Sequence, residues 1–309
     1  MSNTDHQIRN RTSLTRRNGL RSTMPVPVTI NKSHSTHVEP LLNEDRDEAL
    51  AFLARRPRHT VIMAGLLRHY GPVVPLAQGM FYTCRDARGR LEGLALVGRA
   101  TMFEAQNGAA ISALARGARR SPAVRMIMGE ADELETFWRC YIAGRQEPRL
   151  FCREIFYESS RQFSRAAGVD GLRQATLDDL DQIVQAHAQM VFEESGVNPL
   201  ADDAEGFRHR CAQRVEQGQV WTLIDKGELI FKADVLTQTP EASYIEGVWV
   251  NPAHRLKGYG RNCWASLSRT LLDKAPAFCW FVNAQNSTAR SFYDRVGAVS
   301  LGEYNKVYL

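Results

Sequence analysis

The chain has 309 residues, enough for one large or two ordinary domains, and its 44% hydrophobic and 24% charged content is that of a soluble globular protein. No apolar stretch approaches the roughly 20 residues a membrane span needs, and the opening "MSNTDHQIRNRTSLTRRNGL" lacks the apolar core of a secretory signal. The formal net charge of +5 sits mainly in residues 1–40, where six Arg and Lys face Asp5 and Glu39, so the rest is nearly neutral and carries no nucleic-acid footprint.

Residues 1–37 are polar, basic and poor in aromatics, which reads as a disordered arm. Met24 is an alternative first residue. From residue 38 helix-like and strand-like segments alternate. "NEDRDEALAFLARRP" (43–57) and "HTVIMAGLLRHYG" (59–71) read as helices, the second stopping at Gly71. Strand-like runs follow at 78–84, 91–98 and 100–104, then a helix (109–118), a strand (123–129), a helix (132–142) and a strand near 149–157. "SSRQFSRAAGVDG" (159–171) loses periodicity and reads as a linker.

The same order then returns. A short strand "LRQAT" (172–176) precedes a helix over 177–195, with Thr176 as its N-cap candidate, and a second helix spans 204–218. Strands are expected at 220–225, 228–235 and 243–250, a helix from about Gly260 to Asp273, a strand at 278–283, a helix at 287–296 and terminal strands around 298–309. The repeated order suggests a duplicated α/β fold: a first domain at 38–158 and a second at 172–309.

The six cysteines, Cys84, Cys140, Cys152, Cys211, Cys263 and Cys279, share no metal-ligand spacing and read as reduced thiols of a cytoplasmic protein. His187 and His209 have no partners at ligand spacing, so no metal is expected.

One stretch asks for a chemical reading. "NPAHRLKGYGRN" (251–262) leads from the strand "IEGVWV" into a helix. It is either a plain strand–turn–helix connection or an anion site built from unpaired amide N–H groups and the helix dipole. Glycines at 258 and 260 would let a diphosphate approach the backbone, with Arg255 or Lys257 screening its charge. No P-loop lysine follows.

Val250, Pro252, Arg255, Gly258 and Gly260 match V-x-P-x-x-R-x-x-G-x-G, and "NAQNSTARSFYDRVGA" (283–298) matches N-x-x-A-x-x-F-Y-x-x-x-G. Together, over about residues 170–309, they resemble the GNAT superfamily of acyl-CoA-dependent N-acetyltransferases. The resemblance implies two GNAT-like domains, each a mixed, mostly antiparallel sheet flanked by helices, the first degenerate and without the cofactor loop. It implies acetyl-CoA as acyl donor, held by Val248, Trp249, Val250, Arg255, Lys257, Gly258, Tyr259, Gly260, Arg261 and Asn286. Glu246 would be the base and Tyr293 the proton donor to the departing sulfur. Glu193 and Glu194 would meet the acceptor, a small-molecule or peptide amine.

Each residue keeps an ordinary alternative. Glu246 could be a strand carboxylate satisfied by its neighbours, Tyr293 a core aromatic beside Phe292, Asn286 only a helix N-cap, and Glu193 and Glu194 a solvated turn. A regulatory protein that binds acyl-CoA without turnover is the competing function.

Overall fold

The computed structural model describes residues 36–142, 147–162 and 166–309. The basic arm and Met24 lie outside the described residues, apart from Thr36 and His37 at the arm's end. The strands are β1 His37–Pro40, β2 Val73–Val74, β3 Gly79–Arg85, β4 Leu91–Val97, β5 Ala100–Ala105, β6 Met126–Glu130 and β7 Leu150–Ser159. They continue with β8 Arg173–Gln174, β9 Val220–Asp225, β10 Glu228–Gln238, β11 Ser243–Val250, β12 Phe278–Asn283 and β13 Val299–Tyr308. The helices are α1 Arg46–Leu53, α2 Val61–Tyr70, α3 Gly108–Ala118, α4 Ala131–Ile142, α5 Leu180–Ser195, α6 Pro199–Asp202, α7 Ala204–Glu216, α8 Tyr259–Leu272 and α9 Ser287–Arg295.

Local signals set most helix ends. Gly71 closes α2 at φ +76, where its N–H caps Leu67 O. The Asn107 side chain accepts from Ala110 N at the start of α3, and the Asp179 carboxylate accepts the Thr176 N–H at 2.9 Å ahead of α5. None of the described helices is long and apolar enough to cross a membrane.

All described strands join one sheet in the order β1–β3–β4–β5–β6–β13–β7–β12–β11–β10–β9–β8, with β2 added on β3. Neighbours run antiparallel except β5/β6 and β11/β12, so the sheet is mixed and mostly antiparallel. Its centre is an exchange. β7, which ends the front half of the sequence, pairs with β12 of the rear half from Phe278↔Ser159 to Asn283↔Glu154. β13, which ends the chain, pairs with β6 of the front half from Tyr304↔Glu130 to Tyr308↔Met126. β7 and β13 run antiparallel to each other between them.

The terminal strands expected at 298–309 form the single β13, because a register shift between Ser300 and Gly302 bends the strand without breaking its ladder. Two aromatic clusters fill the space around this centre. Phe156, Phe281, Tyr304 and His59 group on one side, and Trp264, Phe278, Trp280 and Tyr293 on the other.

Candidate active site

β11 and β12 pair only through Ser243↔Phe278 and Tyr244↔Cys279, then separate. The separation opens a cleft of about 2180 Å³ lined by both strands, β7, β13, α5, α9 and the loop from β11 to α8. Its walls differ in charge. The loop, α8 and α9 contribute Arg255, Lys257, Arg261, Arg290 and Arg295 and no carboxylate. The strands β7, β11 and β13, with α5, contribute Glu154, Glu193, Glu194, Glu246 and Glu303 against Arg153 and Lys306. Such a cleft favours an anion on one wall and a cation on the other.

The loop is shaped by its own residues. The Asn251 side chain accepts from Ala253 N at 3.0 Å, and Arg255 Nε donates to Val250 O at 3.1 Å. Leu256 holds φ +63 with its side chain fully exposed. The two glycines do different work. Gly258, the N-cap of α8, has φ +90, and a Cβ there would meet nothing within 4 Å, so its backbone faces open space. At Gly260 a Cβ would lie 3.2 Å from Val250 Cγ2, so its hydrogen lets α8 pack close to β11. Val248, Trp249, Val250, Lys257 and Arg261 line the cleft, whereas Tyr259 does not and sets its ring edge-on to His254 at 5.7 Å. Asn286 also lines it, but its Oδ1 accepts from Ala289 N at 3.0 Å as the cap of α9.

The expected chemical groups face the same cleft. Tyr293, 6% exposed, packs among Trp280 at 4.9 Å, Trp264 at 5.1 Å and Tyr157 at 6.0 Å between ring centroids. Burial pushes its phenol well above the usual range, so it stays protonated. Glu246 stands on β11 opposite Asp234, and its Oε1 accepts from Arg214 Nη1 at 2.8 Å. Glu193 accepts from Gln189 at 2.8 Å, and Glu194 accepts from Lys306 Nζ and Tyr308 Oη at 2.9 Å each.

Sequence patterning missed several charges around these groups. Arg214 is one cation among many on α7, and Lys232 and Asp234 sit inside the apolar run "LIFKADVL". Both are buried, and the signal was there: charges at i and i+2 share one face of a strand, so an apolar strand can hold them only as a pair. Burial opposes ionisation of Asp234, but Lys232 and Arg214 outweigh it and hold the carboxyl below its usual range. His187, stacked on Phe207 at 5.3 Å, is pushed down to about 3 by burial and by Lys232. Lys306 lies 3.2 Å from Glu154, a carboxyl that burial pushes up against the pull of that lysine. Among the described residues no group of His, Cys, Asp and Glu could hold a metal ion.

Comparison with known proteins agrees with this geometry. Residues 185–298 match the model of the Acetyltransferase (GNAT) family. Similar solved structures include a Drosophila protein (TM-score 0.62, 14% identity, 88% of this chain and 98% of that one). A tandem GNAT protein from the clavulanic acid biosynthesis pathway is similar at TM-score 0.55 and 12% identity, over 89% of this chain and 98% of that one. A GNAT-family acetyltransferase from Colwellia psychrerythraea is similar at TM-score 0.50 and 12% identity, over 88% and 99%. At these identities the likeness concerns the fold. No curated protein gives a significant match. The similarity to the GNAT family thus falls on residues 185–298, the stretch that holds Glu246, the cationic loop and Tyr293.

Proposed function

We propose that the protein transfers an acetyl group from acetyl-CoA to a primary amine, with residues 172–309 as the catalytic half and 38–158 as a half that holds no cofactor. The observation that carries the reading is the cleft between β11 and β12, with its cationic loop at one wall and its carboxylates at the other. The place related by element order in the front half carries different side chains. β5 and β6 also part after three pairs, but the Phe103 and Phe137 rings stack there at 4.4 Å, and Arg56 bridges Glu104 and Glu130.

Bound acetyl-CoA supplies a thioester, whose acyl carbon an amine can attack and whose thiolate leaves. The residues that would hold it are the loop amides around Gly258, with Arg255, Lys257 and Arg261 toward the phosphates, and the backbone of Val248 and Val250 where β11 has left β12. The space beside Gly258 and the absence of acid on that wall fit an anion.

The remaining difficulty is the proton. An alkyl amine with pKa near 10.4 is neutral in only about one molecule in two thousand at pH 7, which costs roughly 4–5 kcal/mol. The carboxylates of the acidic wall draw the ammonium in; it loses one proton to solvent to become nucleophilic, and Glu246 takes the second as nitrogen bonds to carbon. Tyr293, held protonated by burial, donates a hydrogen bond to the departing sulfur. The thiolate takes its final proton from solvent, since a phenol is a weaker acid than a thiol and keeps its own. No covalent enzyme intermediate is needed. A cytoplasmic site of action fits this use of acetyl-CoA.

An amine screen (amino acids, polyamines, aminoglycosides, peptide N-termini) read by free-thiol release tests the proposal. We expect turnover with at least one amine and a loss of 100-fold or more in Glu246→Gln. Equal background rates in both proteins with every amine would refute it.

A further inference from the structure

Behind Glu246 lies a chain of charges that reaches both the carboxylate and the backbone beside it. Lys232 and Asp234 on β10 are each 1% exposed, and Lys232 Nζ donates to Asp234 Oδ1 at 2.5 Å. Arg214 Nη1, from α7, donates to Asp234 Oδ2 at 2.9 Å and to Glu246 Oε1 at 2.8 Å. Lys232 Nζ also lies 3.4 Å from Gly247 O. Gly247 holds φ +61, a conformation that favours glycine, and a Cβ there would stand 3.0 Å from that ammonium and press on it. Two cations face two carboxylates, and this neutrality lets the set persist away from water.

We propose that Arg214 is the positioning residue for acetyl transfer: it pins Oε1 of Glu246 and leaves Oε2 to take the proton of the amine. The inference rests on the acetyl-transfer reading above. Its ground is the division of labour between the two oxygens. Glu246 lines the cleft and its side chain is 31% exposed, and among the described residues only Oε1 is hydrogen-bonded. Without Arg214 the side chain would have three free torsions, and the base would have to be oriented anew for each encounter.

The charge balance supports turnover as well. As the N–C bond forms, the N–H bond breaks and the proton passes to Oε2. Arg214 and Lys232 are then left with Asp234 as their one ionised partner. Release of that proton from Oε2 to solvent restores the starting state. The other titratable groups facing the set are His187 on α5, which stays neutral, Cys211 on α7, Tyr70 on α2 and Tyr244 on β11.

The test uses the full chain, acetyl-CoA and an amine found by the screen, comparing wild type with Arg214→Gln and Arg214→Lys. Coenzyme A affinity and Tm are measured on each. We expect Arg214→Gln to lower kcat about 100-fold, with amine KM and coenzyme A affinity within about threefold of wild type. Arg214→Lys should lose only about tenfold, the charge being kept and the reach and planar geometry of the guanidinium lost. If Arg214→Gln fails to fold, Arg214→Lys carries the test alone, and wild-type kcat in it overturns the proposal. An active wild type with kcat kept within threefold in Arg214→Gln overturns it too, as do equal losses in both variants. A wild type silent toward every amine refutes the acetyl-transfer reading itself, and this inference with it.

Discussion

Phe156 of β7 and Phe281 of β12 face each other across the junction of the two sequence halves, their rings stacked at 4.5 Å and 23°. Phe156 is fully buried, and Tyr304 of β13 and His59 of the front half close around it at 5.4 and 5.5 Å. One side chain thus touches residues from both halves of the sequence. Phe156→Ala should cost about 3–5 kcal/mol. Urea unfolding measures it, and a loss below about 1 kcal/mol would contradict this packing.

Because β12 finds its antiparallel neighbour in β7, residues 172–309 alone would expose a hydrophobic strand edge along Phe278–Asn283. Such edges promote association. We expect that piece to aggregate or elute as oligomers in size-exclusion chromatography, and to become monomeric only when β7 is supplied. A stable monomer with wild-type coenzyme A affinity would contradict the exchange as a requirement for folding.

This exchange is what the sequence could not show. The strand near 149–157 was legible from its pattern, as were Gly71 and Thr176 as helix boundaries and the loop after Val250. Which strand β7 pairs with depends on contacts more than a hundred residues away, such as Phe156 with Phe281, and local periodicity carries no record of that. The site was legible where backbone chemistry dictates residue type, at Gly258 and Gly260. It was illegible where side chains from α7, β10 and β11 converge, since Arg214, Lys232 and Asp234 are ordinary residues until folding joins them.

The two loop glycines should fail in different ways. Gly258→Ala forces an alanine to φ +90 at the open end of the loop, so coenzyme A affinity should fall tenfold or more with about 1–2 kcal/mol of stability lost. Gly260→Ala presses a methyl toward Val250 and should lower Tm mainly through the α8–β11 contact. Calorimetric titration and thermal unfolding of both variants separate these effects, and identical profiles would contradict the assignment.

Stability should depend on pH through His187. Its folded value of about 3 lies below the ordinary 6.5, so between these values the unfolded chain binds a proton that the folded one does not. Stability from this group is fully present above pH 6.5 and is lost as pH falls, by at most about 1.4 kcal/mol per unit. His187→Gln should flatten the fall between pH 7 and pH 5 in urea unfolding, and an unchanged slope would contradict an imidazole held neutral in the folded state.

The most direct test of the account is calorimetric titration of the full chain with coenzyme A and, separately, with pantetheine, which lacks the diphosphate. The account predicts saturable heat for coenzyme A at micromolar concentrations, and binding at least 100-fold weaker for pantetheine. No heat with coenzyme A, or equal affinity for the two, would contradict a diphosphate held by the loop at Gly258.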